Sequence, residues 1–176
     1  RKGLDIEFDS QKKYVLVVAS NLEQKRMDLV RDAFDEIRSH FEDIVLLKAG
    51  YAETLEGAWV KNTGWVDEVD MPKLYNAVDV FFHPSEYESF GFPVLESMAC
   101  GTPVVASNRA SVPEVAGDAA ELLDPDDENA GVQYAEAIVK NLHSRVDEKA
   151  VRQSRNFTWE DSAREVLRIY EDMLES

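Results

Sequence analysis

The chain is expected to form an α/β domain, a doubly wound parallel sheet of about six strands with helices on both faces. Apolar, strand-like runs alternate with helical patterns along the sequence, the order from which parallel sheets are built. The first of those runs, Tyr14 to Ala19, is continuous and rich in Val, as strands covered on both faces are. A length of 176 residues suits one full hydrophobic core rather than two. Tyr14 to Ala19 is therefore the first strand. Met27, Val30, Phe34, Ile37 and Phe41 recur at the spacing of one helix face, which places a helix over Arg26 to Phe41. Ile44 to Ala49 is the second strand, and Val60 to Val66 a short third strand with its loop. Pro72 opens a short helix through Ala77, and Val78 to His83 is the fourth strand. Val94 to Ala99 forms the core of the next helix, Val104 to Ala106 the fifth strand and Ala120 to Leu123 the sixth. Two helices close the chain, Ala130 to Arg145 and Trp159 to Leu174, the latter with Thr158 as its N-cap. Residues 1–13, polar and without strong periodicity, read as a linker remnant, leaving 14–176 as the domain.

Composition excludes several classes of function. The formal net charge of −16 opposes a general affinity for nucleic acid, whose phosphates need clustered Lys and Arg, and for anionic membranes. The acidic excess reads as solvated surface. The one cysteine, Cys100, can form neither an internal disulfide nor a thiolate metal site and is assigned to the core. No apolar run approaches the length of a membrane span and no charged-then-apolar leader opens the chain, so a cytoplasmic location is expected. The sequon Asn156-Phe-Thr158 reads as chance.

The most informative stretch is Glu88-Ser-Phe-Gly-Phe-Pro-Val-Leu-Glu96. Pro93 suits the first turn of a helix. The free amides of Gly91, Phe92 and that turn carry the positive end of a helix dipole, a ready site for phosphate. Glu88 and Glu96 cannot hold phosphate, but carboxylates accept hydrogen bonds from hydroxyls. A nucleotide-sugar, with phosphate and polyol side by side, satisfies both. In open sheets of this kind ligands bind beyond the carboxyl ends of the strands, the edge where the loops after Ala19, Ala49, His83 and Ala106 fall. There the motif, the Lys25 loop and Arg109 are expected to converge.

Pro84-Ser-Glu-Tyr-Glu-Ser-Phe-Gly-Phe-Pro-Val-Leu-Glu-Ser-Met-Ala-Cys-Gly-Thr-Pro-Val-Val105 resembles the longest signature of the retaining GT-B glycosyltransferases of family 4, in their C-terminal, donor-binding domain. Family-like segments follow in the expected order: Asn62-Thr-Gly-Trp-Val66, Leu74 through Pro84, Val112-Pro-Glu-Val-Ala-Gly117 and Phe157-Thr-Trp-Glu160. The resemblance runs from about Tyr14 to the end. It implies the Rossmann-like C-terminal half of a GT-B fold, transferring a mannose- or glucose-type sugar from a nucleotide-diphosphate sugar to an acceptor hydroxyl with retention. It also implies a missing N-terminal acceptor-binding domain, so that the chain, an excised fragment or a split subunit, is inactive alone. No metal or cofactor is implied, and a full-length enzyme would work in the cytoplasm or at the inner face of the membrane. The alternative is a non-catalytic nucleotide-sugar binding module; a GT-B epimerase or phosphorylase is disfavoured by the intact Glu-Ser-Phe-Gly run.

The resemblance also implies roles. Glu88 would accept hydrogen bonds from the transferred sugar and Glu96 from the ribose, while the backbone amides of Phe90, Gly91, Phe92 and Val94, in a set with Ser89, would contact diphosphate and sugar. Glu88 and Lys25 are the catalytic candidates, Lys25 gripping the diphosphate. In the family this loop carries an Arg five residues before the Lys; here Ser20 occupies that place, supplying neither charge nor a guanidinium fork, which leaves Lys25, the helix terminus and Arg26 to offset the leaving-group charge. The Gly64-Trp-Val66 segment would contact the base through backbone at Val66, with Trp65 half-buried. Ser111 and Glu114 match a pre-helix signature, Glu114 serving equally as a helix-start cap. The side chains of Phe90 and Phe92 read as core, His83 as a hydrogen-bonded structural residue, and Asp124-Pro-Asp126 as a turn rather than a metal site.

Overall fold

The computed structural model describes residues 6–19, 23–51, 54–144 and 146–175. Six strands, β1 (Lys13–Val18), β2 (Ile44–Ala49), β3 (Val60–Gly64), β4 (Val80–His83), β5 (Val104–Ser107) and β6 (Glu121–Leu123), form one sheet in the order β3-β2-β1-β4-β5-β6. Every pairing is parallel. The helices are α1 (Met27–His40), α2 (Met71–Ala77), α3 (Phe92–Ala99), α4 (Val112–Ala116), α5 (Ala130–Asn141), α6 (Glu148–Ser154) and α7 (Trp159–Glu175).

The period-2 alternation of side chains splits the strands between two cores. Val15, paired with Leu46 and Val80, points with Phe82 and Val105 toward Phe34 of α1 and Tyr134 and Ile138 of α5. One residue on, Leu16, paired with Leu47 and Phe81, points with Val104 toward Leu74 and Tyr75 of α2, Met98 of α3 and Ala150 of α6. Helices thus cover both faces, as expected, and each fully buried Leu or Phe contributes roughly 1.5–3 kcal/mol. The buried positions of α1 are Leu29, Val30, Ala33, Phe34 and Ile37; of the periodic residues Val30, Phe34 and Ile37 are buried as expected, while Met27 is half-buried and Phe41, just past the helix end, is 43% exposed.

Boundaries differ from expectation for identifiable reasons. β1 begins at Lys13, inside the segment assigned to the linker. The described residues 6–12 lie against the sheet: Phe8 packs edge-on to Tyr14 at 4.8 Å, the Asp9 amide donates to Tyr14 Oη at 2.8 Å, and Lys61 Nζ donates to the Glu7 carbonyl at 2.8 Å. β4 starts at Val80 rather than Val78, because the Val78 amide still bonds the Tyr75 carbonyl as the C-cap of α2. β3, by contrast, is as expected, ending at Gly64 with Trp65 and Val66 in its loop. α5 stops at Asn141, and Arg145 lies outside the described residues. α6 was not expected at all. Only Ala150 and Ser154 of its seven residues are buried, too few for a periodic signal, and its clearest mark is Asp147, whose carboxylate accepts the Lys149 and Ala150 amides at 2.9 and 3.1 Å. Thr158 does cap α7, its hydroxyl accepting the Asp161 amide at 3.0 Å. Every described residue of α7 is exposed, including Val166, Leu167, Tyr170 and Leu174. Among the described residues no helix is long and apolar enough to cross a membrane.

Candidate functional site

In this strand order the connections from β1 and β4 leave in opposite directions, so a crevice opens beyond their carboxyl ends, where doubly wound sheets take their ligands. The loops that follow these two strands are tied together. The Glu86 amide and the Ser85 hydroxyl both donate to the Gln24 carbonyl, at 2.8 and 3.1 Å, and buried Ser107 at the end of β5 donates to the Ser85 carbonyl. Gln24 belongs to a single 3-10 turn, Glu23–Lys25, and pinning it places Lys25 over the crevice.

Lys25 Nζ lies 2.5 Å from Glu88 Oε1, with only 14% and 13% of the two side chains exposed. His83, at the end of β4 and 2% exposed, brings Nε2 to 3.1 Å from the same oxygen, though off the line of a good hydrogen bond. Its ring stacks on Phe81 at 5.6 Å. The Glu88 backbone is held as well, its carbonyl accepting from the Ser111 hydroxyl at 2.9 Å. Burial opposes the charge on Glu88, but His83 and Lys25 outweigh it and hold the carboxyl down at about 2. Burial pushes His83 down, against the pull of Glu88, toward the neutral imidazole.

This pairing carries a stability consequence. A carboxyl held at about 2 against an ordinary 4.5 stabilises the fold fully above the ordinary value, and that contribution is lost as pH falls through about 2. The wild-type chain should therefore lose more stability between pH 4.5 and 2 than Glu88→Gln, measured as the urea midpoint at each pH. Parallel loss in the two proteins would mean that the pairing contributes nothing.

Glu96 faces a second part of the crevice, a cleft of about 380 Å³ with mainly apolar walls, lined by Val18, Gly50, Trp65, Val66 and Tyr75 among others. The Tyr75 hydroxyl donates to Glu96 Oε2 at 3.0 Å. Burial in the cleft pushes the Glu96 carboxyl up; Tyr75 pulls it down and the nearby Glu68 pushes it further up.

Between the two carboxylates Gly91 starts α3 in the left-handed region, φ 94° and ψ 40°, where a residue without Cβ is favoured. Among the described residues the Phe90, Gly91 and Phe92 amides have no partner. The Val94 amide is taken by the Gly91 carbonyl at 3.0 Å, so the expectation that Val94 offers a free donor fails: the tight first turn consumes it. Pro93 sits in that turn as expected. Ser89 is exposed and Val66 half-buried at the cleft. Ser20 lies outside the described residues.

Other expectations are corrected. Phe90 packs against Phe92 and Phe157, but Phe92 is 47% exposed and stacks on Trp159 rather than entering the core, because the first residue of α3 stands on the rim. Trp65 is 60% exposed, stacked on exposed Tyr51 at 5.4 Å, since β3 is an edge strand and no further strand of the described residues lies beyond it. The basic residues expected to help with anions are already engaged: Arg109 bonds Asp124 and Asp126, at 2.6 and 2.8 Å, and Arg26 bonds Asp28 and Asp126. Asp124-Pro-Asp126 is the expected turn, the Asp126 amide donating to Asp124 Oδ1 at 3.0 Å.

From the sequence His83 is only a hydrogen-bonded structural residue, and Tyr75 has no role. The signal for His83 is its place, the last residue of a strand at the switch point, five residues before Glu88. Tyr75 carries no comparable signal, because it reads as one more apolar position of a short helix.

Comparison with known proteins gives the chain a family and a fold. The family model described as glycosyl transferases group 1 matches residues 5–157. The O-antigen chain mannosyltransferase B of Escherichia coli is 38% identical over 135 residues, covering 74% of this chain and 34% of that protein, so the chain spans about a third of this relative's length. The pneumococcal O-GlcNAc transferase GtfA in complex with UDP and GlcNAc superposes with a TM-score of 0.70 at 13% identity, over 95% of this chain and 37% of that one. WaaG, a glycosyltransferase of lipopolysaccharide biosynthesis, gives 0.68 at 18% identity, over 84% and 43%. At these identities the structures speak for the fold: a Rossmann-like sheet matching GT-B glycosyltransferases.

Proposed function

The chain belongs to the glycosyl transferases group 1 family, and from that membership we propose that it is the C-terminal, donor-binding domain of a retaining GT-B enzyme of family 4. That enzyme would move a mannose- or glucose-type sugar from a nucleotide-diphosphate sugar to an acceptor hydroxyl. The observation that carries the proposal is the arrangement around α3: unpartnered amides at Phe90, Gly91 and Phe92, with Lys25 and Glu88 on one side and Glu96 in the apolar cleft on the other. A diphosphate at the amides and Lys25 puts the ribose at Glu96, the base in the cleft toward Val66, and the sugar at Glu88. Each group then meets a partner of suitable chemistry.

Chemically, the protein's task is to stabilise the departing diphosphate and to fix geometry. Lys25 and the amides offset the charge that grows on the leaving oxygen. Glu88 orients the sugar, and the leaving phosphate takes the acceptor's proton on the same face, which retains configuration. No metal or cofactor enters this scheme. The acceptor would be held by a second domain of the longer protein, and the exposed apolar residues Val166, Leu167 and Tyr170 of α7 are where we place contact with it. The chain alone is then a binding domain without turnover.

Calorimetric titration with uridine, guanosine and adenosine diphosphates tests the site. At least one should bind, and Glu96→Ala should weaken it by about tenfold or more, the loss expected for hydrogen bonds to a charged group. No binding of any of the three at millimolar concentration would end the proposal.

A further inference from the structure

We propose that Tyr75 is a positioning residue for nucleotide binding, holding Glu96 in the orientation and charge state in which it accepts ribose hydroxyls; this rests on the donor-site reading above. Tyr75 is fully buried in α2 and packs edge-on to Phe81 of β4, at 5.4 Å and 89°. Its carbonyl accepts the buried Thr102 hydroxyl at 2.8 Å. Ring and backbone are thus anchored in the core, and the hydroxyl donates to Glu96 Oε2 at the wall of the cleft. Glu96 by contrast is only partly covered on α3, with a long side chain whose rotamer freedom costs on the order of 1.5–2 kcal/mol to freeze. A rigid donor beneath one oxygen fixes that side chain before any ligand arrives, and leaves Oε1 without a partner among the described residues.

The same bond guards the charge. A ribose hydroxyl needs an acceptor, and a protonated carboxyl is a poorer one. The charged or titratable groups facing Glu96 are Tyr75 from α2, Glu68 from the turn before it, and Cys100 at the end of α3. Burial and Glu68 favour protonation of Glu96; Tyr75 is the group that opposes it. Burial and the Glu96 charge together keep the phenol itself protonated far above neutral pH, so it remains a donor throughout.

The test is Tyr75→Phe, which removes one oxygen and keeps the ring. Binding of the nucleoside diphosphate that the wild-type chain prefers, and of its 2′,3′-dideoxy analogue, is titrated from pH 5 to 8. The expected result has three parts: about five- to tenfold weaker binding of the ribose form at neutral pH, an acid limb of binding moved to higher pH, and no difference between wild type and variant toward the dideoxy form. A penalty equal for ribose and dideoxyribose would make Tyr75 merely structural and overturn the proposal, as would unchanged affinity and pH profile. Glu96→Ala, run alongside, separates the two levels. If it leaves binding untouched, the ribose assignment falls and this inference with it; if it weakens binding while Tyr75→Phe does not, only this inference falls.

Discussion

Replacing Gly50 by alanine should destabilise the domain by roughly 2–6 kcal/mol and lower its melting temperature on the order of 10 °C. Gly50 follows β2 with φ 97°, and a Cβ there would stand 2.2 Å from the Ala19 carbonyl oxygen. Two costs therefore add. The left-handed backbone strains any residue with a Cβ, and the clash is with backbone, which cannot swing aside as a side chain can. The ends of β1 and β2 are locked where the clash falls: the Ala19 amide bonds the Ala49 carbonyl at 3.0 Å, and the Gly50 amide bonds the Gly64 carbonyl at 2.7 Å. Gly64→Ala is the control, because φ is also positive, at 68°, but nothing lies within 4 Å of its Cβ; it should lose only about 1–2 kcal/mol. Gly50 lines the Glu96 cleft, so the same substitution should weaken nucleotide binding by pushing the β1 and β2 ends apart. Equal melting temperatures for the two variants would show that the close approach at Ala19 is not what Gly50 serves.

That contrast reflects what one sequence can and cannot carry. The central strands are legible as mainly apolar runs covered on both faces, as Ile44–Ala49, buried at all six positions, illustrates, whereas the edge strand β3, Val-Lys-Asn-Thr-Gly with no fully buried position, carries a weaker signal. α1 was legible because its buried face repeats. The motif around Glu88 and Glu96 was legible as a helix start with two carboxylates, and α3 does begin there, with Pro93 in its first turn. What stayed hidden depends on contacts between distant segments. The ion pair of Lys25 with Glu88 spans 63 residues, and the bond of Tyr75 to Glu96 spans 21; neither leaves a local pattern. Exposure is underestimated for the same reason: Trp65 reads as half-buried and Phe92 as core until the edge position of β3 and the rim position of α3 are known.

Lys25→Ala and Glu88→Gln should change nucleoside diphosphate binding in opposite directions, although the two side chains are partners. In the free protein the Lys25 ammonium is already satisfied by Glu88 Oε1. A diphosphate that takes over this ammonium must first displace the carboxylate and endure its proximity. Removing the lysine removes a charge-assisted hydrogen bond to the ligand, worth roughly 1.5–3 kcal/mol, and should weaken binding about 10- to 100-fold. It also leaves the Glu88 carboxylate with His83 as its one cationic or hydrogen-donating side-chain neighbour among the described residues, an acid facing the incoming anion. Glutamine at 88 keeps the size and loses the charge, so the ammonium turns to the ligand without competition. Affinity for the bare diphosphate should then rise about fivefold, roughly 1 kcal/mol, because desolvation offsets most of the attraction in so buried a pair. The nucleotide-sugar should gain less, because the transferred sugar loses its strongest acceptor. The measurement is calorimetry at low and high salt with the diphosphate and the corresponding nucleotide-sugar. Both effects should shrink as salt rises, since they are electrostatic in origin. If Glu88→Gln weakens the bare diphosphate as Lys25→Ala does, the carboxylate serves to hold the lysine in place rather than to compete for it, and the division of labour between diphosphate and sugar has to be redrawn.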